Sequence, residues 1–188
     1  MKNMFAFLFL LVFCSKIEAE TFVFSETYRT FKKNSTYQTS VVWAQQSLAK
    51  KVGLFGWGQV GTTYRQTYGG VYVKPANWLQ VGIGGGAEQA TNKTRMGSFL
   101  YASKKRYSTF AIYENGGSGY WYLTITDISF SKNWSIGTHS QAYIGHGVRA
   151  EYRFKPIGKW TPSIRPAMMW DKKGQTSVIL GLRMTYFK

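Results

Sequence analysis

Cysteine is nearly absent from this 188-residue chain, with Cys14 the only one. Acidic residues are scarce as well, 8 Asp+Glu against 24 Lys+Arg, and proline occurs only 4 times. A lone cysteine excludes a disulfide framework within the chain. Two histidines beside that cysteine offer no donor set for a zinc site, so neither a metal nor a cofactor is expected. Charged residues make up 17% of the chain, too few for a polyelectrolyte that stays unfolded. Scarce proline and aperiodic glycine exclude collagen-like and low-complexity chains. Past residue 19, no apolar stretch approaches the ~20 residues that a helix needs to cross a bilayer.

What is present begins with an address. Lys2 precedes an apolar run over residues 4–14, and Ala19 with Ile17 supplies the −1 and −3 positions of a cleavage site. Residues 1–19 therefore read as a secretory signal peptide. Removing them takes away Cys14, Lys2, Lys16 and Glu18, leaving 22 cations against 7 acids. An exported chain without cysteine suits a bacterial envelope better than a disulfide-rich secreted domain. Residues 20–36, polar with scattered aromatics, read as an N-terminal arm, and 37–188 as one β domain.

Aromatic residues reach 18% and glycine 20 residues. From Tyr37 onward short runs alternate between apolar and polar. Val178, Leu180, Leu182, Met184 and Tyr186 share one face of a strand, and Ser177, Gly181, Arg183 and Thr185 share the other. Leu79, Val81 and Ile83 oppose Gln80, Gly82, Gly84, Gly86 and Glu88 in the same way. Val148, Ala150 and Tyr152 oppose Arg149, Glu151 and Arg153. Trp121, Leu123 and Ile125 form a softer apolar face opposite Tyr120, Tyr122 and Thr124. Ten candidate strands lie near 37–46, 52–64, 68–74, 78–90, 95–103, 106–114, 119–130, 134–154, 160–170 and 174–187, joined by turn-forming segments. Residues 41–52 also fit a helix period, and 134–154 is long for a single strand. The expectation is an all-β, antiparallel up-and-down barrel of 8–10 strands.

Such a barrel buries its apolar face if soluble and turns it outward if it spans a membrane. The polar face decides. It is rich in Gly, Gln, Ser and Thr with opposed charges, which suits a narrow lumen lined by Gln80, Glu88, Arg149, Glu151, Arg153 and Arg183. Lysines collect instead in the turns, as Lys50, Lys51, Lys104, Lys105, Lys132, Lys172 and Lys173. There they avoid the roughly 2–4 kcal/mol that each cation costs on the lipid face at mid-bilayer. Aromatics cluster near run ends, Trp57, Trp78, Tyr107, Trp121, Trp134, Trp160 and Trp170 among them, as interfacial girdles require. The transmembrane type is therefore favoured. A soluble periplasmic or secreted barrel binding an apolar or anionic ligand is the alternative.

With its signal peptide, its dyad alternation and a last strand ending at Phe187, the chain resembles small bacterial outer-membrane β-barrel proteins over residues 37–188. The resemblance implies residence in the outer membrane and recognition of the terminal aromatic by the outer-membrane assembly machinery. The turn lysines are assigned to lipopolysaccharide phosphates, since export argues against nucleic acid as the anionic partner. Some barrels of this class are lipid A acyl-modifying enzymes using Ser and His. Here His139 and Ser140 point oppositely on one strand, and His146 lies six residues from Ser140, beyond contact along one strand. A structural, interaction or narrow-pore role is the leading expectation, without catalysis.

Overall fold

The computed structural model describes residues 20–62 and 64–188, so the signal peptide assigned to 1–19 lies outside the described residues. The chain folds into a closed barrel of 12 antiparallel strands, each bonded to its sequence neighbour, with β1 and β12 joined to complete the ring. The strands are β1 (Thr21–Lys32), β2 (Ser35–Ala49), β3 (Val52–Gly61), β4 (Arg65–Ala76), β5 (Leu79–Glu88) and β6 (Thr94–Lys104), then β7 (Tyr107–Gly116), β8 (Gly119–Ser129), β9 (Trp134–Gln141), β10 (Gly145–Arg153), β11 (Trp160–Trp170) and β12 (Thr176–Phe187). The even count places both termini at one end, the terminal rim, and Thr21 and Lys188 close it by exchanging backbone hydrogen bonds.

The expected 8–10 strands become 12 for two reasons. The N-terminal arm is strand β1, which pairs with β2 on one side and with β12 on the other, Phe22 opposite Phe187 through Phe31 opposite Val178. Its polar outward face hid it from the hydrophobic pattern, yet without it two strand edges would be left open. The long run 134–154 is a hairpin. Its turn, Ala142-Tyr143-Ile144, has no turn-forming composition, and Tyr143 takes the left-handed conformation (φ 66°) just before Gly145 (φ 123°). The Tyr143 hydroxyl donates to the Tyr120 carbonyl at 2.8 Å, which anchors that turn. Residues 41–49 belong to strand β2 and form no helix.

The outer wall is apolar. Ile83 and Met96 are each 68% exposed and Leu182 is 61% exposed, with Val178, Leu180, Val148 and Ile136 around them. In water this surface would be strongly unfavourable, and its natural solvent is hydrocarbon. Two aromatic bands flank it: Trp78, Tyr107, Trp134 and Trp160 near the terminal rim, and Tyr37, Tyr120, Tyr143 and Trp170 near the distal rim. The barrel is thus of the transmembrane type, with the arrangement that lipid and its interfaces impose.

Two assignments reverse. Trp57 and Trp121 point inward and belong to no girdle, and the apolar face of β8 (Trp121, Leu123, Ile125) lines the interior. Over β2–β7 the interior holds a packed aromatic core. Trp43, 1% exposed, meets Phe99 at 4.9 Å, Phe55 at 5.2 Å and Phe110 at 5.3 Å between ring centroids. Gly82, Gly84 and Gly86 of β5 face inward. A Cβ at Gly82 would lie 2.2 Å from Phe99 Cε1, so the bare backbone there is the space the ring occupies.

Candidate pore lumen

The aromatic core fills one side of the barrel, and charged groups line the other. Strands β1, β8, β10, β11 and β12 send Glu26, Asp127, Arg149, Glu151, Arg153, Arg165 and Arg183 inward. Glu26 Oε2 accepts from Arg183 Nη2 at 2.6 Å and Nε at 2.9 Å, and from Arg165 Nη1. Glu151 accepts from Arg153 Nη2 and from Ser163 Oγ, both at 2.9 Å, and lies 3.7 Å from Arg165 Nε. Arg149 Nη1 sits 3.4 Å from Asp127 Oδ2. The Arg183 guanidinium also lies 4.0 Å from the Phe24 ring centroid, a cation–π contact that links the charged wall to the aromatic core.

A cavity of ≈ 640 Å³ opens at the terminal rim. One wall carries the neutral hydrogen-bonding groups Gln45, Ser47, Tyr72, Gln80, Tyr101 and Ser108, with the Lys74–Glu20 ion pair at its mouth. Ser47 Oγ and the Tyr72 hydroxyl are 3.0 Å apart, and Gln45 Nε2 donates to Gln80 Oε1 at 3.3 Å. The facing wall carries Arg153, Arg165 and Arg183 with Glu151 and Asp127. Deeper in, the lumen narrows at Phe24, Phe110, Ile125, Arg165 and Arg183, which border both this vestibule and a second cavity of ≈ 40 Å³.

Toward the distal rim the inward side chains are buried. Arg95 bonds Glu114 Oε2 through Nε at 2.7 Å and Glu88 Oε2 through Nη1 at 2.6 Å. Glu88 further accepts from Ser118 Oγ (2.5 Å), from Ser118 N (2.9 Å) and from the Tyr64 hydroxyl. Tyr64 lies in the β3–β4 connection. Burial, with the bond to Glu88 next, raises its pKa to about 12, so it remains a donor. This network ties the β3–β4, β5–β6 and β7–β8 connections together. Opposite it, Met169, Ala167 and Ile179 pack with Ile144 and Tyr28, and Lys32 Nζ donates to the Tyr143 carbonyl at 3.1 Å.

Of the residues assigned to the lumen from sequence, Gln80, Arg153 and Arg183 line the vestibule, Arg149 and Glu151 the charged wall, and Glu88 the distal network. Sequence reasoning missed Glu26, Arg95, Glu114, Asp127 and Arg165. One signal was available: in a spanning strand an ionised side chain belongs on the lumen side, and five of the seven acids after residue 19 sit on strands. Asp127 escapes the pattern because the apolar face of its strand, Trp121, Leu123 and Ile125, points inward and carries it along. The turn lysines split between the rims. Lys50, Lys51, Lys104, Lys105 and Lys132 lie at the terminal rim, and Lys172 and Lys173 at the distal one. No single leaflet meets all seven.

The histidines also part. His139 points into the lumen and bonds Gln141 Oε1 at 3.1 Å. His146 Nδ1 lies 2.7 Å from Ser140 Oγ, a contact judged out of reach along one strand and created by the β9–β10 hairpin. No carboxylate pairs with His146 among the described residues.

No family model matches the chain, and no curated protein sequence matches it. Solved structures do. A KdgM porin aligns with TM-score 0.54 at 15% identity, over 85% of this chain and 97% of the porin. A KdgM porin in complex with disordered oligogalacturonate gives 0.53 at 15% identity over the same shares. A NanC porin in a rhombohedral crystal form gives 0.50 at 11% identity, over 87% of this chain and 99% of that one. The fold is that of a porin. At these identities the likeness shows the fold alone.

Proposed function

We propose that the chain is an outer-membrane channel that admits anionic, hydroxyl-bearing solutes such as acidic saccharides through its terminal vestibule. The observation that carries the reading is the vestibule's two-sided lining. Arginines on one wall suit a carboxylate, and amides and hydroxyls on the other suit a sugar's hydroxyl groups. Charge distribution adds to it. Five arginines and five carboxylates offset one another inside the barrel. The other 17 cations therefore face only Glu20 and Asp171 at the rims and outer wall. Positive mouths concentrate anions and repel cations. Oligogalacturonate, the ligand of one KdgM porin complex, is a polyuronate of this chemistry and serves as the probe.

Export through the predicted signal peptide leaves the N-terminus on the periplasmic side. With an even strand number the terminal rim then faces the periplasm and the vestibule opens there. In that orientation lipopolysaccharide contact falls to Lys172 and Lys173 together with Lys32, Lys33 and Lys93 at the distal rim, and the other five assigned lysines meet the inner leaflet. Salt-sensitive binding of lipopolysaccharide that Lys172→Ala and Lys173→Ala weaken, and Lys104→Ala and Lys105→Ala do not, is the expected result.

The channel reading is tested in planar bilayers under a potassium chloride gradient. The expected reversal potential is that of an anion-selective pore, conductance falls on adding oligogalacturonate, and Arg153→Glu reduces the selectivity. A refolded, membrane-inserted barrel with no conductance, or with cation selectivity, overturns it.

A further inference from the structure

The charged wall of the lumen is short of one negative charge. Arg149, Arg153, Arg165 and Arg183 face three carboxylates, Glu26, Asp127 and Glu151. The carboxylates are spent unevenly. Glu26 is held by Arg165 and Arg183, and Glu151 by Arg153 and Ser163. Arg149 is left with Asp127 at 3.4 Å, and neither of its terminal nitrogens donates a hydrogen bond within the described residues. The Arg165 Nε and Asp127 Oδ1 atoms are likewise unmatched. Yet the Arg149 side chain is only 2% exposed. A guanidinium cannot shed its charge to escape this position, so burial without a full set of acceptors is strongly unfavourable.

Beside it lies the smaller cavity. Arg149, Arg165 and Arg183 line its volume of ≈ 40 Å³ together with Glu26, His139 and Gln141. A buried water needs about 10–15 Å³ of such space, so there is room for a small ion and none for a sugar ring. Water would satisfy the guanidinium's hydrogen bonds and leave the excess charge. A monovalent anion meets both requirements at once.

We propose that one small monovalent anion, of the size of chloride, resides among Arg149, Arg165 and Arg183 and completes the ion network behind the narrowing of the lumen. It reaches the cavity from the vestibule past Arg165 and Arg183, which border both spaces. The site shares Arg165 and Arg183 with the vestibule wall and is set apart from it by Arg149, and its existence does not depend on whether the barrel conducts.

The test uses the chain from residue 20 onward, refolded in detergent with bulky, hydroxyl-free morpholinoethanesulfonate as the only anion. Crystals are soaked in bromide, and thermal unfolding is followed while chloride replaces the sulfonate at fixed ionic strength. The expected map has an anomalous bromide peak in contact with the Arg149 guanidinium. The expected midpoint rises with chloride and saturates after a few degrees. Arg149→Gln removes the saturable rise, whereas Lys104→Gln, at the terminal rim and outside the charged wall, retains it. Superimposable chloride and sulfonate curves for the unmodified chain, or bromide peaks confined to rim lysines, overturn the proposal. Those two readings need no variant, so a failure of Arg149→Gln to fold leaves the decision intact. Channel activity is measured separately, and a conducting barrel with no bromide peak refutes only this site.

Discussion

Gly82 and Phe99 show how single residues shape the interior. A Cβ at Gly82 would lie 2.2 Å from Phe99 Cε1, and the ring has nowhere to retreat because Trp43 and Phe55 each hold it at 4.9 Å between centroids. Gly82→Val is therefore an overpacking change, expected to cost about 1–3 kcal/mol. Adding Phe99→Leu should recover part of the loss by vacating that space. Urea unfolding followed by tryptophan fluorescence measures both, and a neutral Gly82→Val would contradict the packing described. Glycine in β5 was legible as lumen-facing from its alternation with Leu79, Val81 and Ile83. Which aromatic ring it accommodates was not, because Phe99 comes from the neighbouring strand.

At the scale of elements, β1 carries the closure. Ten residue pairs join it to β12, from Phe22–Phe187 to Phe31–Val178. Its loss would leave β2 and β12 with unpaired backbone groups facing hydrocarbon, where each costs several kcal/mol. A chain lacking residues 21–32 is expected to give no heat-modifiable folded form on a denaturing gel, although every other strand is intact. A folded, heat-modifiable product would mean that β2 and β12 pair directly. The segment was legible only as polar with spaced aromatics, because its inward face mixes Phe22, Phe24, Glu26, Tyr28 and Thr30 and so never reads as greasy on one side. The β9–β10 hairpin escaped for a related reason. Its turn is made by Tyr143 and Gly145 in positive-φ conformations, without the Asn, Asp or Pro that mark turns elsewhere in the chain.

For the whole molecule the deciding property is which way the apolar surface faces. Leu182 stands near the middle of β12 on the outer wall, and Phe31 lies near the distal rim. A cation at the bilayer midplane costs about 2–4 kcal/mol and one near the interface about 0–1 kcal/mol. Leu182→Arg is therefore expected to destabilise the barrel in lipid vesicles far more than Phe31→Arg does. Equal effects on unfolding in vesicles would mean that the wall does not face a depth-graded medium.

The sequence by itself determined the properties that are local. Strand alternation has a period of two, so the lipid-facing sets on β5, β10 and β12 and the inward Gln80, Glu88, Arg149, Glu151, Arg153 and Arg183 could be read from neighbours in the chain. Tertiary structure decided what depends on partners distant in sequence. Glu26 meets Arg165 and Arg183, 139 and 157 residues away. Ser140 meets His146 only because the chain turns back between them. The turn lysines sort to opposite rims only once the strand count is complete, since one added strand changes the end to which every later turn belongs. A side chain's face follows from local backbone geometry, whereas ring closure and ion pairing follow from which strands end up adjacent.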